Sequence, residues 1–114
     1  GKQPNHTQQV MVNYAGYLAN GTLFDSNVKE IEETYGKYNA MREQQGGYQA
    51  FPMEYNSNAP LIPGFKEALL KMKVGDKVRV FIPAALGYGE RGAGDVIPPN
   101  SDLIFDIEIT DIAK

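Results

Sequence analysis

The segment Leu103 to Thr110 constrains the fold more than any other. Leu103, Phe105, Ile107 and Ile109 alternate there with Asp106, Glu108 and Thr110. A period of two puts successive side chains on opposite sides of the backbone, so this stretch predicts a strand with one apolar and one polar face. Such a face must be buried in a sheet. The same alternation recurs from Gln9 to Leu18, with Val10, Val12 and Tyr14 on one side and Met11, Asn13 and Ala15 on the other. It is shorter at Phe51, Met53 and Tyr55 and at Val78, Val80 and Ile82, where Pro83 then removes a ladder donor. Asn20-Gly21 predicts a tight turn into Thr22-Leu23-Phe24-Asp25, because both residues tolerate positive φ. Pro63-Gly64 predicts a helix start, with Phe65, Ala68, Leu69 and Met72 on one face, Lys66, Glu67, Lys71 and Lys73 mostly on the other, and Gly75 as the stop. The expected class is α+β, with about four to six antiparallel strands and one principal helix.

The middle third is less regular. Val28, Ile31 and Tyr35 have helical spacing, and Glu30, Glu32 and Glu33 between them read as a solvated helix face. Asn27 and Glu30 have the spacing of a capping box, and Gly36 would end the helix. Residues 37–50 read as a loop with one more helical turn, so the sheet is expected to carry a helical insertion near residues 27–45. Residues 1–7 have no periodicity and are expected to form a flexible tail or linker ahead of a domain at 8–114.

At 114 residues the chain fits one domain and can bury a core without disulfides or metal. A net charge of -3 with 11 scattered Lys and Arg argues against a nucleic-acid surface. Cysteine is absent, and the one histidine, His6, lies in the opening segment. A Ser-His-Asp or Cys-His nucleophile therefore has no base to activate it. Gly87-Tyr88-Gly89 and Gly92 spell a GxGxxG string, but the Gly/Pro-rich run that follows cannot form the helix a phosphate site needs. The carboxylates lack the spacing of a calcium loop. No metal or cofactor is expected, and no apolar run is long enough to span a bilayer. The chain starts with Gly rather than Met. It is expected to be a soluble domain, either cytoplasmic or, if a leader or anchor has been removed, periplasmic or bound to the cell envelope.

Apolar and aromatic residues also stand where a chain needing only a core would place polar ones, at strand ends and in Gly/Pro-rich loops. Examples are Leu61-Ile62-Pro63-Gly64-Phe65, Phe24-Asp25, and Val96-Ile97-Pro98-Pro99. Tyr88 between two glycines is the most telling, since core packing does not call for an aromatic in such a loop. The pattern predicts a greasy pocket.

Taken in order, Val12 to Leu18, Gly21 to Ser26, Leu61 to Phe65, Met72 to Asp76, Gly87 to Gly89, Val96 to Pro99 and Leu103 to Glu108 resemble the signature segments of FKBP-type peptidyl-prolyl cis/trans isomerases. The resemblance covers about residues 8–112 apart from 28–50. It implies a strongly curved antiparallel half-barrel wrapped around one short helix, with a proline pocket between helix and concave face. By position, the resemblance assigns catalytic roles to Asp25, Tyr88, Phe24 and Phe105, and substrate contacts to Tyr14, Phe51, Leu61, Ile62, Phe65 and Ile97. Phe65 stands where the family usually has tryptophan, and insertion 28–50 is longer than the loop of minimal members. The implied partners are Xaa-Pro polypeptides and macrolides such as rapamycin, and the implied state is a monomer. Alternatives within the same fold are a non-catalytic proline-peptide or macrolide clamp, and a chaperone gripping clients through Tyr35, Tyr38, Met41 and Tyr48.

Overall fold

The alternating segments pair with one another in the computed structural model, which describes residues 1–113. The strands are β1 (Gln9–Leu18), β2 (Leu23–Ser26), β3 (Phe51–Glu54), β4 (Lys77–Ile82) and β5 (Leu103–Ile112). They form one open five-stranded sheet in the order β2-β1-β5-β4, with β3 also on β1. The segment that alternates most regularly, β5, lies between the two longer partners. Its register runs from Leu18↔Leu103 to Val10↔Ile112 along β1 and from Ile82↔Leu103 to Lys77↔Glu108 along β4. The free edge of β1 is shared: β3 pairs with Gln9 to Val12, and β2 with Ala15 to Tyr17. The hairpin expected at Asn20-Gly21 joins β1 to β2.

The expected helix is α3, Pro63–Leu69. Pro63 supplies the helical φ at the first turn, where its missing N–H costs nothing, and Ile62 before it is extended (φ -60, ψ 146). Phe65, Leu69 and Met72 are buried in one cluster with Val10, Val12, Ile82, Leu103, Phe105, Ile107 and Ile109. Gly64 lets the helix approach β4 closely, since a Cβ there would sit 2.6 Å from Ile82 Cγ2. The helix stops at Leu69, and Gly75 (φ 92) closes the turns that follow it. Just past its end the buried Tyr55 hydroxyl donates to the chain, lying 2.6 Å from Met72 O and 3.1 Å from Leu70 O.

The insertion holds two short helices, α1 (Lys29–Thr34) and α2 (Ala40–Gln44). Ile31 of α1 packs on Ala15, Tyr17 and Leu23, and the Tyr35 ring lies 5.6 Å from that of Tyr17. The second half of β1 is thereby covered on both sides.

Two local expectations are corrected here. Asn27 does not cap α1, whose N-cap is Val28 without a side-chain bond. Its amide instead fills the gap on the β1 edge between β3 and β2. Oδ1 accepts from Tyr14 N at 2.8 Å, and Nδ2 donates to Val12 O at 2.8 Å and Gln49 O at 3.1 Å. Glu32, expected on a solvated face, is only 5% exposed, because Tyr48 and Arg42 of the insertion fold over it. Residues of the opening segment also contact the rest of the chain. Lys2 O accepts from Val74 N, Gln3 Nε2 donates to the Tyr55 hydroxyl at 2.8 Å, and Pro4 is buried.

Candidate active site

Four aromatic rings from separate elements meet at one end of the core. Phe65 of α3 and Phe105 of β5 lie edge to face, with centroids 5.1 Å apart. Phe24 of β2 meets Phe105 the same way at 5.5 Å, and Tyr14 of β1 meets Phe65 at 6.4 Å. Perpendicular rings place the positive edge of one on the negative face of the next, which fixes their orientation as well as filling space. They form the base and one side of a cavity of about 500 Å³. The remaining wall comes from Phe51 and Met53 of β3, the Pro60-Leu61-Ile62 approach to α3, and Tyr88.

Gly16 makes this box possible. It is paired with both Asp25 and Phe105 across the sheet, and a Cβ on it would fall 2.6 Å from Phe24 Cζ and 2.8 Å from Phe105 Cε1. Gly16→Ala is therefore expected to push both rings off their positions at a cost of about 1–3 kcal/mol. A urea-unfolding midpoint unchanged from wild type would show that the rings yield freely.

Tyr88 reaches the cavity from the long connection between β4 and β5, which the backbone shapes in detail. Gly89 N donates to Ala84 O at 2.9 Å, Asn100 N to Gly89 O at 2.8 Å, and Gly92 N to Tyr88 O at 3.2 Å. These bonds fix the backbone at Tyr88 and Gly89, and Tyr88, 38% exposed, lines the cavity. Burial, then the charge of Asp25, raises the Tyr88 phenol above its ordinary pKa.

The one charged group in the wall is Asp25. Its Oδ2 accepts from the Tyr14 hydroxyl at 2.6 Å, and its Oδ1 from Arg42 Nη1 at 2.7 Å. Burial, followed by the bond to Asp25, pushes the Tyr14 phenol well above the usual range. Tyr14 thus stays a donor, and the carboxylate is held in one orientation beside an apolar hollow. Chemically the arrangement offers a largely apolar hollow, one oriented carboxylate and two phenols. It can enclose a compact ring and act on its polar neighbours through hydrogen bonds and charge.

Of the residues singled out in the sequence, Tyr14, Phe24, Asp25, Phe51, Leu61, Ile62, Phe65, Tyr88 and Phe105 line this cavity. Ile97 does not. The connection folds back on itself through paired bonds between Ala93 and Ile97, which leaves Ile97 3% exposed within the main core. Met53 and Pro60 line the wall without having been singled out as site residues. Met53 follows Phe51 by two residues on one short strand, and Pro60 directly precedes Leu61, so adjacency could have found both. Arg42 was missed entirely, since nothing in its neighbourhood points toward Asp25. Of the insertion's four candidate client contacts, Tyr35 packs on Tyr17, Tyr38 and Tyr48 stack on each other at 5.8 Å, and Met41 is 66% exposed.

Comparison with known proteins agrees with this geometry. The family profile described as FKBP-type peptidyl-prolyl cis-trans isomerase matches residues 1–110. The chain is 41% identical over 112 residues to the FKBP-type 22 kDa peptidyl-prolyl cis-trans isomerase of Escherichia coli, covering 98% of this chain and 45% of that protein. It is 37% identical to FK506-binding protein 1B of Neurospora crassa, covering 94% of this chain and 84% of that one. A solved peptidyl-prolyl cis-trans isomerase from Pseudomonas syringae superposes with a TM-score of 0.70 at 30% identity, covering all of this chain and 68% of that chain. The chain thus spans less than half the length of its Escherichia coli relative. By profile, by sequence identity and by superposition alike, this chain belongs to the FKBP-type peptidyl-prolyl cis-trans isomerase family.

Proposed function

We propose that this protein accelerates cis/trans isomerisation of Xaa-Pro bonds in polypeptides and so assists folding. The observation that carries this reading is the convergence of Phe24, Ile62, Phe65, Tyr88 and Phe105 on one hollow beside an oriented carboxylate. Uncatalysed rotation takes tens of seconds against a barrier of about 20 kcal/mol, because amide resonance is lost in the twisted state. No covalent bond need be made or broken. The planar amide carries more charge separation than the twisted one, so an apolar enclosure disfavours the ground state more than the transition state. Lowering the barrier by about 4–6 kcal/mol gives roughly 10³- to 10⁴-fold acceleration.

In this scheme Phe24, Phe105, Ile62 and Phe65 hold the proline ring. The Tyr88 hydroxyl and the Ile62 N–H donate to substrate carbonyls, and Asp25 acts through its charge. Residues 8–114 form the isomerase domain, with 28–50 as its insertion, acting as a monomer. Macrolides of the rapamycin type compete for the same hollow, since they too offer a compact ring flanked by carbonyls. No helix among the described residues is long and apolar enough to cross a membrane.

The test is an exchange or protease-coupled assay on a Xaa-Pro peptide, with rapamycin as competitor. Tyr88→Phe should lower kcat/KM about two- to tenfold, the worth of one hydrogen bond, and Asp25→Val about tenfold or more. A folded wild-type sample that binds rapamycin without speeding the peptide would make the protein a clamp instead of an enzyme.

A further inference from the structure

We infer that Glu32 and Tyr48 are positioning residues for the isomerase site, acting through Arg42 on Asp25 and Tyr14. This rests on the isomerase reading and extends it to the insertion.

The chain of contacts begins at the α2 cap. Asn39 N donates to the Tyr48 hydroxyl at 2.9 Å, and that hydroxyl donates to Glu32 Oε1, also at 2.9 Å. The same Glu32 oxygen lies 3.6 Å from Arg42 Nη1, which donates to Asp25 Oδ1 at 2.7 Å. Asp25 in turn accepts from Tyr14, in the cavity wall. Arg42 also stands over the Tyr48 ring at 5.3 Å, and its Nε donates to Gly47 O at 3.3 Å.

Two features make this more than a local ion pair. The α2 helix that carries Arg42 has no buried residue, so apolar packing does not set where the guanidinium points. Polar contacts must do so. Glu32 is meanwhile the most enclosed carboxylate of the network, and an enclosed charge without partners would cost far more than a surface pair returns. Glu32 therefore demands a cation and a hydroxyl donor, and meeting that demand holds Arg42 beside Asp25. The Arg42–Asp25 pair by itself is partly in water, with side chains 26% and 42% exposed. Pairs so placed hold weakly. Without the brace the guanidinium can swing outward, and Asp25 and Tyr14 lose their fixed orientation while the apolar walls stay intact. The loss should then fall on kcat more than on KM.

The test is a double-mutant cycle on the full chain. Tyr48→Phe keeps the ring under Arg42 and removes only the hydroxyl, while Glu32→Ala removes the anchor. Each should lower kcat about five- to tenfold in the wild-type background and less than about twofold when Asp25 is already valine, because residues acting through one network are not additive. Equal fold-losses of kcat in both backgrounds would overturn the proposal and leave Glu32 and Tyr48 as fold residues only. If Glu32→Ala fails to fold, Tyr48→Phe carries the cycle. A readout independent of turnover is water exchange of the Arg42 side-chain Nε–H by NMR. It should be slow in wild type and fast in Tyr48→Phe, and an unchanged rate would refute the brace. A wild-type protein without turnover would instead sink the isomerase reading, and the exchange measurement would still decide the brace.

Discussion

Phe105→Ala should cost about 3–5 kcal/mol of folding stability and remove peptide turnover with it. Phe105 is 5% exposed and meets both Phe24 and Phe65 edge to face. It also stands on β5, which pairs with both β1 and β4. Deleting the ring therefore opens a void in the core and removes the surface against which a proline ring would rest. Phe105→Leu separates the two effects. It keeps most of the volume but loses the ring edges, so stability should recover to within about 1.5 kcal/mol of wild type while turnover stays depressed. Urea unfolding at constant m value measures the first quantity, and the peptide assay on samples confirmed to be folded measures the second. Full turnover in a stable Phe105→Leu protein would mean that the aromatic ring itself has no part in the reaction.

Asn27→Ala should be nearly as damaging to the fold, by about 2–4 kcal/mol, although a three-atom polar side chain is all that is removed. Asn27 is 4% exposed, and its amide serves Tyr14 N–H and Val12 C=O on the edge of β1 that lies between β3 and β2. Truncation leaves both groups inside the protein without partners. Asn27→Asp should be at least as costly. It keeps the acceptor for Tyr14 but turns a carboxylate oxygen toward the Val12 carbonyl, repulsion where there was a hydrogen bond. The local readout is amide exchange at Tyr14, which should lose its protection in both variants ahead of the rest of β1. A loss below about 0.5 kcal/mol, the level of an ordinary surface change, would mean that the gap is bridged without this side chain.

These two residues also mark the line between what was legible in the sequence and what was not. Phe105 belongs to a period-two pattern that can be read one residue after another. Its strand and its inward direction follow from that pattern, and the family resemblance implies its place beside a pocket. Asn27 looked like a helix cap because its neighbours in sequence offered a helix. Its real partners are 13, 15 and 22 positions away. Glu32 misled in the same way: three glutamates in four positions look solvated unless the segment that covers one of them is known. Ile97 shows the opposite ambiguity. An apolar residue in a Gly/Pro-rich loop can face a pocket or a core, and the Ala93–Ile97 pairing sent it to the core.

From its own letters, then, the chain determined its strands, its hairpin and its principal helix, and the family resemblance implied most of the apolar lining. The first three rest on local rules: alternation, positive φ at a turn, and proline at a helix start. Tertiary structure alone decided the polar parts: Asn27 in the sheet gap, Glu32 under the insertion, Arg42 beside Asp25, and the room that Gly16 leaves for two rings. The physical reason is that an apolar side chain carries its preference for burial with it wherever it stands. A polar or absent side chain acquires its role only from the groups that folding brings against it.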